Sequence, residues 1–289
     1  MNLTRIDKIK FKGFEFYVKR DDELGLINGN KARKLAFFMS KNYPKGQGFL
    51  SYGGTQSNAL LALAIFTKQR DYKLNFVHAK ISNFLKNNPC GNYLYALNYG
   101  TNFIENTSKL SLKEFAYSLK KDNEFFLNEG IAQNEAEFGY KELAKEIELQ
   151  ARNLNIEFDI FLPSGTGTSA AFLAKHSKFK VFTTFCVGDE IYLKDQILTL
   201  IKDYDFSNLH ILSLDKKYHF AKPYAEFIKI YKEILKQTQI EFDLLYDSLG
   251  LLCILKHKNI FKNPLLYIHQ GGLIGNISML KRYEFKKFM

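Results

Sequence analysis

Residues 158 to 175 read FDIFLPSGTGTSAAFLAK. The first six are apolar but for Asp159, the next six are glycine and hydroxyl residues, and the last six are small and apolar with a closing lysine. An apolar run stopped by Gly, Ser and Thr and followed by an alanine-rich segment predicts a buried strand, a tight turn and a helix. The same succession recurs at SYGGTQSN (51 to 58) and YIHQGGLIG (267 to 275). Strands are expected over 14–20, 48–54, 73–80, 158–165, 178–188 and 265–272, and helices over 58–70, 139–154 and 222–237. In the last helix the apolar residues at 224, 227, 228, 231, 234 and 235 follow helical spacing. Strands alternating with helices imply a mostly parallel sheet covered on both faces, an α/β fold. No linker rich in Pro, Gly or Ser interrupts the chain, so a second domain is entered by short crossings.

Strand-to-helix junctions are where such folds hold ligands, because helix N-termini offer unpaired N–H groups beyond the strands' carboxyl ends. In PSGTGTSA, Gly165 and Gly167 let the backbone bend so that its N–H groups point inward, and Ser164, Thr166 and Thr168 add hydroxyl donors. There is no GK[ST], and Ala170 stands where the dinucleotide pattern has its third glycine, so a single phosphate is the expected guest. A plain strand-to-helix turn is the alternative reading of the stretch. A second feature is GLINGNKARKL (25 to 35), where Lys31 follows an Asn-Gly turn and opens a helix. The charges of Arg33 and Lys34 are expected to lower its amine pKa. A phosphate cradle together with a specially placed lysine suggests pyridoxal 5′-phosphate, whose aldehyde forms a Schiff base with a lysine amine. Third, Ser57 and Asn58 stand at a helix start suited to a substrate carboxylate.

The formal charge is +11, from 41 basic and 30 acidic residues, and only six of the basic residues are Arg. No block of five or more basic residues occurs, which argues against nucleic acid as a partner. Cys90, Cys186 and Cys253 are widely spaced, and the six histidines show no ligand spacing, so neither a disulfide framework nor a metal is expected. The longest apolar run, Ala59 to Phe66, is too short for a bilayer, and the N-terminus has no apolar signal core. A cytoplasmic protein with no membrane partner is the expectation. His269 is read either as a lining residue or as a satisfied core histidine, and Glu129, Glu135 and Glu137 as a solvated acidic face on a crossing segment.

GNKARKL, GGTQSN, LNEGIAQNEAEFGYKELAKEI (127 to 147), PSGTGTSA, FDLLYDSLGLLCIL (242 to 255) and LLYIHQGG, in that order, resemble the D-cysteine desulfhydrase and 1-aminocyclopropane-1-carboxylate deaminase family. The resemblance implies the tryptophan synthase β-like fold (fold type II) with pyridoxal 5′-phosphate between two parallel-sheet α/β domains. It makes Lys31 the Schiff-base lysine that also moves the substrate α-proton. Asn58 then contacts the cofactor ring oxygen, and Ser57 lies beside the substrate carboxylate or reacting carbon. Residues 165–168, with Ser164, form the phosphate loop, and Tyr246 and Tyr267 match two active-site tyrosines. Gln270 falls near the pyridine nitrogen, where Thr or Leu is expected.

Ala59, Leu60 and Leu61 replace residues that are usually polar in the family, and Leu249 replaces a lysine, so some of the family's polar contacts to substrate are expected to be missing. The expected organisation is a larger domain of residues 1–35 and 138–289 with a smaller one, 36–137, inserted in it, in a homodimer. The expected activity is release of ammonia and a 2-oxo acid from a small amino acid. β-Replacement, racemisation or cofactor binding without turnover are the alternatives.

Overall fold

The structure is a computed structural model and describes residues 3 to 288. Its strands are β1 (Ile6–Phe11), β2 (Phe14–Lys19), β3 (Gly48–Tyr52), β4 (Lys73–His78), β5 (Asn102–Glu105), β6 (Glu124–Leu127), β7 (Asp159–Ser164), β8 (Val181–Phe185), β9 (Leu209–Leu212) and β10 (Leu265–Ile268). They form a six-stranded sheet in the order β1-β2-β10-β7-β8-β9 and a four-stranded sheet in the order β5-β4-β3-β6. Among the described residues every pairing is parallel except β1 with β2. Those two make a hairpin in which Phe11 pairs with Phe14 across Lys12 (φ 48°) and Gly13 (φ 77°). Two left-handed residues are what a two-residue turn with the twist of its strands requires.

Side-chain alternation divides the larger sheet's core. Ile160, Leu162, Leu266 and Ile268 pack with helices Ala136–Leu154 and Thr168–His176 on one face. Phe16, Val18, Phe161 and Tyr267 pack on the other face with helices Ala225–Thr238 and Asp247–Lys256. Helix Ala136–Leu154 buries positions 136, 139, 140, 143, 144, 147 and 151, a stripe at helical spacing. It lies close on helix Gly29–Met39, for a Cβ on Gly139 would come within 1.9 Å of the Arg33 carbonyl oxygen. In the smaller sheet Phe49 and Phe76 pack against helix Asn58–Gln69, and Leu50, Tyr52 and Val77 pack with Ala116 on the opposite face.

The helix after β7 covers the first face of the larger sheet. The helix after β10, Ile274–Phe285, buries Met279 and Tyr283 in a cluster on the second. Adjacent strands whose connections leave in opposite directions open a crevice at their carboxyl ends. Among the described residues no helix is long and apolar enough to cross a membrane.

Candidate functional site

Asn28, Gly29 and Asn30 meet the turn at Gln270, Gly271 and Gly272. The Asn30 N–H donates to the Gln270 carbonyl at 3.0 Å, and the Gly272 N–H donates to Asn28 Oδ1 at 3.3 Å. Gly29 has φ 55°, and a Cβ on it would lie 1.7 Å from the Gln270 oxygen. No residue with a side chain fits there without parting the two segments. The start of the helix is thereby pinned to the end of β10, and Lys31 emerges into a cavity of about 350 Å³. This cavity also takes in Ser57, Asn58, Ser164, Gly165, Thr166, Gly167, Thr168, Tyr246 and Gln270.

Lys31 has its pKa lowered from 10.5 to about 8 by burial, with the nearby Asp243 carboxylate opposing the shift. The expectation that Arg33 lowers it is corrected. Arg33 is fully buried on another side of the helix, where its guanidinium bonds both oxygens of Asp21 and both of Glu146 at 2.8 Å. Lys34 does line the cavity, donating to the Gly130 carbonyl at 2.9 Å. Burial first, then the charge of Lys31, push its pKa well down.

The turn after β7 has Gly167 at φ 73°, where a Cβ would lie 2.6 Å from Ile197 Cγ1. At Gly165 a Cβ would lie 3.3 Å from the Tyr246 ring. The hydroxyls of Thr166 and Thr168 stand 2.9 Å apart, and the helix Thr168–His176 begins there with its first N–H groups free of intrahelical partners. Ser164 is buried, its hydroxyl 2.7 Å from that of Thr183. The turn and the helix start line the cavity together, the setting in which a phosphate group is held. Ser57 caps helix Asn58–Gln69, its Oγ accepting the Ala59 N–H at 3.1 Å. Ala59 and Leu60 are core residues, and Leu249 is buried beside Met279 and Tyr283.

Tyr246 is half-buried, lies tilted against Phe220 with ring centroids 5.2 Å apart, and is held protonated by burial. Tyr267 is not where its expected role requires it. Alternation along β10 turns it into the core, fully buried, where its hydroxyl donates to Asp247 Oδ1 at 2.7 Å. It reaches the cavity only through Asp247, which is among the lining residues. Gln270 donates from Nε2 to the Pro163 carbonyl at 2.6 Å, while its Oε1 is buried without a partner among the described residues.

Two cavity carboxyls escaped the sequence reading. Asp243 Oδ1 accepts the N–H groups of Leu245 at 2.8 Å and Tyr246 at 2.6 Å, and its Oδ2 is buried without a partner among the described residues. Asp247 Oδ2 accepts the Asp243 N–H at 3.0 Å. Burial raises both pKa values. Their signal was present in FDLLYDSLGLLCIL, two charged residues inside an apolar run, which is a mark of buried polar groups.

Glu129 is a further correction, since it lines the cavity and is raised in pKa by burial, with a hydrogen bond from the Gly54 N–H opposing the shift. Glu137 instead pairs at the surface with Lys175 and His176, both at 2.8 Å, and Glu135 accepts from Gln133. His269 is a satisfied core residue, with Nδ1 accepting the Gly271 N–H at 3.1 Å and Nε2 donating to the Glu241 carbonyl at 2.7 Å. Among the described residues no group of three or more His, Cys, Asp or Glu is placed to hold a metal ion.

No protein-family model matches the chain, and no curated protein matches it. Solved structures do. An ACC deaminase homologue is similar over 99% of this chain and 94% of its own, at 22% identity and a TM-score of 0.79. A hydrogen sulfide-producing enzyme from Fusobacterium nucleatum is similar over 94% of this chain and 96% of its own, at 19% identity and 0.67. A threonine deaminase from T.th. is similar over 94% and 92%, at 13% identity and 0.67. Two sheets with a crevice between their carboxyl ends, matched over nearly the whole chain, give it the tryptophan synthase β-like fold that these enzymes share.

Proposed function

We propose that the chain is a pyridoxal-phosphate-dependent deaminase or lyase that takes a small amino acid to ammonia and a 2-oxo acid. The observation that carries this reading is the convergence of Lys31 and the 165–168 turn on one cavity. With its phosphate held at the helix start, the cofactor's aldehyde would be taken by the amine of Lys31, which lines the same cavity. Such a cofactor, when bound, supplies an electron-withdrawing ring that weakens the bonds at the substrate α-carbon. Everything else falls to this chain's residues. The Gly165, Thr166, Gly167 and Thr168 turn, backed by Ser164, would hold the phosphate. Asn58 and Gln270 would bind the ring, and the Ser57 helix start would take the substrate carboxylate. With its pKa lowered to about 8, the Lys31 amine is neutral in a minor fraction at pH 7 and mostly neutral above pH 8, where it can carry the α-proton. Tyr246 stays protonated and can donate to a departing group. The hydrogen sulfide-producing neighbour accords with a small amino acid that loses sulfur, for which we propose D-cysteine, and the ACC deaminase homologue accords with release of ammonia from a small amino acid.

We read residues 36–137, which contain the four-stranded sheet, as a smaller domain inserted between 1–35 and 138–289. A homodimer in the cytoplasm accords with the same family reading. Cofactor binding without turnover is the second reading, favoured by the burial of Ala59 and Leu60 where polar substrate contacts were expected. Assay of the cofactor-loaded protein with D-cysteine and β-chloro-D-alanine separates the two. Pyruvate and ammonia are expected. Loaded protein that yields neither pyruvate nor exchange of the α-proton with deuterated solvent, across small D- and L-amino acids, rules out the catalytic reading.

A further inference from the structure

Asn92, the second residue of helix Gly91–Asn98, is fully buried and belongs to none of the segments that carry the family resemblance. Its Nδ2 donates to the Gln56 carbonyl at 2.8 Å and to Asn58 Oδ1 at 2.7 Å. The first bond settles the chemistry of the second. A carbonyl oxygen can only accept, so the atom of Asn92 that faces Gln56 is the amide nitrogen. The same nitrogen faces Asn58, so the atom of Asn58 that meets it is the oxygen. The Asn58 amide nitrogen is thereby left on the other side, 2.2 Å from where a Cβ on Gly272 would sit. A side chain at position 272 would displace it.

Two further contacts hold Asn92 in place. Gln56 Nε2 donates to the Cys90 carbonyl at 2.9 Å, and Gly91, at φ 56°, leaves room for Gln56 Oε1, which would lie 2.7 Å from a Cβ there. The loop that precedes Asn58 is thus fastened to the start of the helix that carries Asn92.

We infer that Asn92 is a positioning residue that locks the Asn58 amide with its N–H₂ turned to the cavity, so that the site offers the cofactor's ring oxygen a donor and favours that oxygen ionised. This rests on the pyridoxal-phosphate reading of the site and deepens it. Asn92→Asp keeps the shape of the side chain and removes the donor. The Asn58 amide then turns to give its own N–H₂ to the new carboxylate and presents its oxygen to the cavity.

The test is a pH titration of the absorption of bound pyridoxal 5′-phosphate in the unchanged protein, Asn92→Asp and Asn92→Ser, with circular dichroism to establish folding. Ionisation of the ring oxygen is expected to move up by about one pH unit or more in Asn92→Asp, the tenfold change a charge-assisted hydrogen bond is worth. Asn92→Ser should move it in the same direction by less. A folded, cofactor-loaded Asn92→Asp that titrates as the unchanged protein does overturns the inference. If that variant does not fold, an unmoved titration in Asn92→Ser does the same. Absence of any bound-cofactor absorption from the unchanged protein overturns the pyridoxal-phosphate reading, and this inference with it, before a variant is made.

Discussion

Burial, rather than a neighbouring cation, makes the Lys31 amine available near neutral pH. Its pKa falls from 10.5 to about 8 as its charged form loses water, and the neutral amine is the nucleophile. The rate at which pyridoxal 5′-phosphate combines with the protein, followed by absorbance, should therefore rise with pH to a midpoint near 8. A midpoint near 10.5 would mean that the amine is solvated. Tyr267 calls for a different experiment, since its hydroxyl serves Asp247 and not the cavity. Tyr267→Phe leaves a buried carboxyl oxygen short of a donor and should cost about 1–3 kcal/mol in denaturant unfolding. Tyr246→Phe should instead slow release of product more than exchange of the α-proton. A Tyr267→Phe protein as stable as the parent would show that Asp247 has other partners. The roles of Lys31 and the 165–168 turn were legible because each has a local signature. The inward turn of Tyr267 was not, because strand alternation decides it against a neighbour 20 residues away.

At the scale of elements, two close approaches of backbone hold the site. Gly29→Ala puts a methyl group 1.7 Å from the Gln270 carbonyl in a left-handed conformation. The segments must separate, at a cost of about 1–3 kcal/mol in thermal or chemical unfolding, with Lys31 displaced and cofactor affinity reduced. Gly167→Val meets Ile197 and loses a φ of 73°, so it should weaken cofactor binding while circular dichroism shows the fold retained. Unchanged affinity in a folded Gly167→Val protein would place the phosphate elsewhere. The long periodic helices and the six apolar strands could be read from sequence. β5 (NFIE), β6 (EFFL) and β9 (LHIL) could not, for a four-residue strand has too few residues to show a period and owes its place to its neighbours in the sheet. β1 escaped for another reason, since IDKIKF places its apolar residues at 6, 9 and 11, which breaks strict alternation, and carries three charged residues on an edge that is only half covered.

Across the whole molecule, the six- and four-stranded sheets turn their carboxyl ends toward one cavity, and residues far apart in sequence meet there: Lys31 from the first helix, Asn58 after β3, the glycine turn after β7 and Gln270 after β10. A ligand bridging these segments binds only the folded state, so pyridoxal 5′-phosphate at about a hundred times its dissociation constant should add about 2.7 kcal/mol of stability. The most direct test is to mix the protein with pyridoxal 5′-phosphate, reduce with borohydride and map the modified peptide by mass spectrometry. One pyridoxyl group is expected, on Lys31 within GNKARKL, formed in proportion to the bound cofactor's absorption. A group fixed on Lys34 or any other lysine, or none at all under saturating cofactor, would contradict it.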